Sequence, residues 1–255
     1  MEPRELVEGF SPNAAWARCR LEGGDTLVAP PARRVLRCCS AVLATLLASS
    51  ALTACNFFAD PLEWEGLEPM EEENLAPYPG SDDDPHPEEL GVTRGEAEDY
   101  EWVHARGFVH APTADVWEAV RDPDVLVDRR RVGEWSTIFD VDSRVPVSFV
   151  TSNVVYDVIT LRFDTMWRQA HLEGSEERPV RVLARGDLSE PSMLLSVLKT
   201  SVTLEELDDD LTEIGLVRHI DAVAAGADDA EQYLRDLYES IVAVAHGRPL
   251  PRWDS

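Results

Sequence analysis

From Glu101 onward the sequence predicts an α+β domain in which an antiparallel β-sheet lays one dry face against a long C-terminal helix. Three observations carry this. Ile159, Leu161, Phe163, Thr165 and Trp167 take one face of a strand, and Thr160, Arg162, Asp164 and Arg168 take the other, as in a sheet with one wet and one dry side. Asp228 to His246 carries a helical stripe of Ala230, Tyr233, Leu234, Leu237, Ile241, Val244 and Ala245, which has to be buried against something. The element order is strand, two short helices, several antiparallel strands, then the long helix.

The first strand runs from Glu101 to Val109, where Trp102, His104, Arg106 and Phe108 alternate with Val103, Ala105, Gly107 and Val109. Pro112 suits a helix start, and Val116, Trp117 and Val120 give that helix its face. Asp122-Pro123 ends it, because the residue before proline is pushed out of the α region. A second short helix runs from Asp124 toward Arg131, with Gly133 as its stop. Trp135, Thr137, Phe139 and Val141 share one face of the next strand. The clearest strand spans Val158 to His171, and Val180 to Ala184 reads as another. Pro191 to Leu198 fits either helix or strand. Ser201–Leu207 and Leu211–Ile220 flank an Asp208-Asp-Asp210 turn and read as a hairpin. Asp228 and Asp229 complement the dipole at the start of the last helix, and Gly247 and Pro249 stop it.

The formal charge of −26 argues against nucleic acid, since phosphate binding needs clustered Lys and Arg. It argues equally against a basic patch for anionic lipid. All four cysteines, Cys19, Cys38, Cys39 and Cys55, precede the predicted domain, which therefore has no disulfide, thiolate metal site or cysteine nucleophile. GxSxG, HExxH, GxxxxGK[ST] and GxGxxG are absent. His86, His104, His110, His171, His219 and His246 stand at spacings that match no standard metal motif, so the sequence implies neither metal nor cofactor. Arg218-His219-Ile-Asp221 is the best polar cluster: a His–Asp pair can orient a base, or simply be solvated on one strand face. Arg129-Arg-Arg131 reads as cations at a helix C-terminus before it reads as a phosphate contact.

Between Asp60 and Tyr100 there are 15 acidic residues against one arginine, with six prolines between Pro61 and Pro87. Such a segment cannot bury enough apolar area to offset its entropy, so residues 55–100 read as a disordered acidic tether, with an acidic arm that binds a cation or partner as the alternative. A flexible coil of about 40 residues spans roughly 35 Å.

Further upstream, Arg33, Arg34 and Arg37 precede the uncharged, 15-residue stretch Ser40–Ala54, a basic n-region followed by an apolar h-region. That stretch is shorter than the roughly 20 residues of a spanning helix. Leu52-Thr53-Ala54-Cys55 resembles a lipobox, and the chain is thereby similar to bacterial lipoproteins. The resemblance implies a signal peptide over residues 28–54, cleavage before Cys55, and lipidation and N-acylation of Cys55. Residues 1–27 look unlike a signal peptide and read as a start assigned too far upstream. Asn56 follows the cysteine where an Asp would favour inner-membrane retention, so the resemblance favours an outer-membrane anchor in the bacterial envelope.

Val109-His-Ala-Pro-Thr-Ala-Asp-Val-Trp-Glu-Ala-Val-Arg-Asp-Pro123, with the element order, resembles the START-like (SRPBCC) superfamily, in its polyketide-cyclase-like and lipid-transfer branches. The resemblance covers about residues 101–248, with 249–255 as a tail. It implies a helix-grip fold, a curved antiparallel sheet wrapped around the C-terminal helix, with a cavity for apolar ligands between them. On the strand registers, Trp135, Phe139, Ile159, Leu161, Phe163 and Trp167 point inward, and His219 borders the last helix. The expectation is therefore a membrane-anchored domain that binds or carries a lipid or other hydrophobic molecule without covalent chemistry. Two readings stand beside it: a cyclase-like enzyme using His219 or His171 for proton transfer, and a scaffold with a filled interior that binds only proteins.

Overall fold

The computed structural model describes residues 64–157 and 159–253. The leader, Cys55 and Val158 lie outside the described residues. Within them, eight strands form one antiparallel sheet in the order β1-β2-β8-β7-β6-β5-β4-β3. The strands are β1 (Leu90–Glu96), β2 (Glu101–Val109), β3 (Val132–Phe139), β4 (Val147–Val155), β5 (Leu161–Gly174), β6 (Pro179–Leu188), β7 (Leu195–Asp208) and β8 (Leu211–Ala222). Two short helices, α1 (Thr113–Arg121) and α2 (Pro123–Leu126), cross between β2 and β3, and α3 (Ala227–Ala245) closes the chain. The fold is the helix grip, a curved sheet around a long terminal helix.

Period-two alternation sets which residues meet α3. Val103 and Ala105 of β2, Leu198 and Val202 of β7, and Leu216 and Ile220 of β8 are buried in one cluster with Leu234, Leu237 and Ile241 of α3. Burying one such side chain fully is worth about 1.5–3 kcal/mol, so this face dominates the stability. Two tyrosines of α3 add direction: Tyr233 Oη donates to Leu126 O at 2.8 Å, and Tyr238 Oη donates to Phe108 O at 2.6 Å. Ala227 N–H, in the first turn of α3, donates to the Glu101 carboxylate, and Gly226 N–H donates to Asp229 at 3.1 Å. Gln169 Nε2 donates to Val120 O at 2.9 Å and ties the end of α1 to β5. Pro191–Leu198, open to either reading in the sequence, turns into the start of β7 at Leu195.

The segment read as a tether departs from that expectation where it is described. Residues 90–96 form edge strand β1 against β2, and residues 64–79 lie as a strap over the outer face of the sheet. Leu67 and Ala76 are buried, Trp64 Nε1 donates to His171 O at 2.9 Å, and Asn74 Nδ2 donates to Ala105 O at 2.9 Å. Leu67 packs with Val145, Ala170 and Leu183 in a second small core, beside Trp64. The acidic composition hid this because a few apolar anchors and backbone bonds suffice when a ready-made sheet face is present.

Candidate ligand cavity

At the N-terminal end of α3 a cavity of about 240 Å³ opens between helix and sheet. Its walls are chiefly apolar: Leu161 and Phe163 from β5, Leu195 and Leu198 from β7, Ile220 and Ala222 from β8. Val132 and Val155 come from β3 and β4, and Ala230 from the first turn of α3. Ile159 and Val223, respectively 61% and 75% exposed, mark its rim. An inner chamber of about 30 Å³ shares Asp128, Val132, Phe163, Leu198 and Arg218 with the outer one. Thr151, Asn153, Thr165, Thr200 and Tyr233 make that inner end polar.

Arg218 dominates the electrostatics there. It is 8% exposed, its Nη1 donates to Thr200 Oγ1 at 3.0 Å, and its guanidinium lies 3.7 Å from the Tyr233 ring centroid. Its Nε is buried without a hydrogen-bond partner. Burial raises the Asp128 carboxyl above its ordinary range, against the pull of Arg218. Burial likewise pushes the Tyr233 phenol up to about 12.

The three consecutive arginines hold the wall in place. Arg130 pairs with Asp236 through Nε at 2.8 Å and Nη2 at 3.0 Å. Arg129 donates to Pro251 O at 3.0 Å and Ser240 Oγ at 3.1 Å, and Arg131 meets Asp229 at 2.9 Å. Their partners lie on or around α3, so they pin the loop after α2 to that helix. Periodicity could not show this, because the partners are about 100 residues away in sequence.

The residues expected to face a ligand divide into two groups. Ile159, Leu161 and Phe163 line the outer chamber, and Trp167 bounds the inner one. Trp135 and Phe139 share the inward face by register, Trp135 opposite Asn153 and Phe139 opposite Phe149. They sit on edge strand β3, however, 37% and 57% exposed, and line neither chamber. His219 is on the opposite face from Arg218, and His171 lies between Trp64 and Trp117. Among the described residues no histidine lines either chamber. The sequence reading missed Arg218 as the inward polar group. Its position one residue before His219 was the available signal, since neighbours on a strand face opposite sides.

On the outer face the strap brings Glu71 to His104 and His219. Glu71 Oε1 stands 2.9 Å from His219 Nε2 without the alignment of a hydrogen bond, and Leu75 N–H donates to His104 Nδ1 at 2.9 Å. Tyr100 stacks on His219 at 4.4 Å, and Trp102 tilts against His104 at 4.7 Å. Burial, with Lys199 and Arg185 nearby, pushes the His219 imidazole down to about 4, so it is neutral near pH 7.

No protein-family model and no curated protein sequence matches the chain. Similar solved structures include human StAR-related lipid transfer protein 5, at 11% identity and a TM-score of 0.45, covering 64% of this chain and 84% of that one. The lipid transfer and protein localization domain of human StarD13 is similar at 11% identity and a TM-score of 0.42, over 62% of this chain and 83% of that one. The Zhui aromatase/cyclase from Streptomyces sp. R1128 is similar at 16% identity and a TM-score of 0.36, over 58% and 92%.

Proposed function

We propose that this domain binds an amphipathic small molecule, its apolar part in the outer chamber and its polar end toward Arg218. The observation that carries the reading is the cavity itself: an apolar space of about 240 Å³ ending at a nearly buried guanidinium. A solid interior would need no opening here, and water alone gains little from walls that offer it few partners. A carboxylate or carbonyl at the inner end supplies the acceptor that a buried cation favours. The volume fits a short acyl chain or a small ring system better than a full diacyl lipid.

The leader supports a second part of the reading, that lipidated Cys55 holds the domain at an envelope membrane, in the outer rather than the inner membrane. Trp64, where the strap begins, follows Cys55 by only nine residues. The domain then works close to the membrane, where apolar ligands are concentrated.

Native mass spectrometry of residues 56–255 purified from bacterial cells tests the binding. The expected result is a reproducible extra mass that leaves on denaturation and belongs to an amphipathic metabolite. A bare mass that persists after incubation with bacterial lipid extract contradicts it.

A further inference from the structure

Glu71, His104 and His219 come from three separate segments: the strap, β2 and β8. His219 pairs with Trp102 in the β2–β8 ladder, and His104 lies two residues further along β2, so the imidazoles leave the outer face as diagonal neighbours. They are 5% and 2% exposed, and each is held against an aromatic ring. One ligand atom from each of the three residues lies within 4.8 Å of the other two. His219 Nε2 is buried and makes no hydrogen bond.

We propose that Glu71, His104 and His219 form a binding site for a divalent transition metal ion, with zinc as the reference ion, closed over by the strap. Two imidazoles and a carboxylate are a donor set that zinc takes at bond lengths of about 2.0–2.2 Å, with a further position left for water. Tetrahedral donors at those lengths stand about 3.4 Å apart, so the three close in around the ion. Glu71, on the strap and part exposed, supplies that movement. Lys199, opposite His219 on β7, opposes the added charge, and the Glu71 carboxylate offsets it.

Such a site leaves a signature at Leu75. Ligation through His104 Nδ1 displaces the Leu75 N–H from that atom. Ligation through Nε2 puts the ring proton on Nδ1, which then cannot accept from Leu75. By either route the Leu75 amide is released when His104 takes the metal.

The test uses the full chain, stripped with chelator and with its four cysteines alkylated, titrated with zinc by calorimetry while amide exchange is followed. The expected result is one zinc per chain, binding at least tenfold weaker in Glu71→Gln and in His219→Gln, and faster exchange of the Leu75 amide on loading. Glu71→Gln lies outside the core and keeps the test readable if His219→Gln fails to fold. No uptake, or equal uptake by the parent and Glu71→Gln, overturns the site. Uptake lost in the variants with Leu75 exchange unchanged overturns the part assigned to His104.

Discussion

The guanidinium of Arg218 lies 3.7 Å from the centroid of the Tyr233 ring, linking β8 to α3 at the inner end of the cavity. A desolvated contact of this kind is worth about 2 kcal/mol, yet the buried Nε without a partner costs a comparable amount. Arg218→Met keeps the stem and removes the charge. Its melting temperature is expected to fall, because the buried Asp128 carboxyl loses its nearby cation and Thr200 Oγ1 loses its donor. Affinity for a carboxylate-headed amphiphile should fall by about tenfold or more, while an uncharged apolar probe binds as before. Melting curves with paired titrations of the two ligands check both halves.

Asn74 is the polar anchor of the strap. Its Nδ2 reaches Ala105 O at 2.9 Å, and its Oδ1 accepts from Ala76 N–H at 3.0 Å. Asn74→Ala leaves these backbone groups with nothing in exchange and should cost about 1–3 kcal/mol. Urea unfolding reads this as a lower midpoint at unchanged slope.

A chain beginning at residue 95 lacks the strap and nearly all of β1, and so uncovers His104 and Phe108 on β2. It is expected to unfold at lower urea than a chain beginning at residue 56 and to exchange the β2 amides faster. Equal midpoints would contradict the structural role given to residues 64–96.

That boundary is where sequence reading and structure part most clearly. The β2 face alternation, the α1 segment and the α3 stripe were legible because periodicity and punctuation are local. Leu161, Phe163 and Trp167 were legible as inward for the same reason. Trp135 and Phe139 take the inward face that alternation predicts, but edge position on β3 leaves Trp135 partly and Phe139 largely exposed, and strand order is not written in any one strand. The strap was illegible because Leu67 and Asn74 act through partners on β2, β5, β6 and β8. Glu71, His104 and His219 were invisible as a group because only the ladder and the strap bring them together.

Asp142 accepts from Arg144 and Arg168, with Arg168 Nε at 2.7 Å, and these bonds hold its carboxyl far below the usual range. A depressed folded-state pKa stabilises the fold above the unfolded value near 3.9, and the contribution is lost as pH falls below it. Asp142→Asn should therefore lower the urea midpoint at pH 7, with a smaller difference from the parent at pH 3.

Calorimetric titration of octanoate, a short-chain carboxylate, into the parent and Ala222→Phe tests the cavity most directly. Ala222 lines the outer chamber on the same face of β8 as Ile220, so a phenyl ring there fills the space. The expected result is saturable one-site binding to the parent and at least tenfold weaker binding to Ala222→Phe, with the fold retained by circular dichroism. Equal binding by both proteins, or none by the parent, would contradict a ligand-binding cavity.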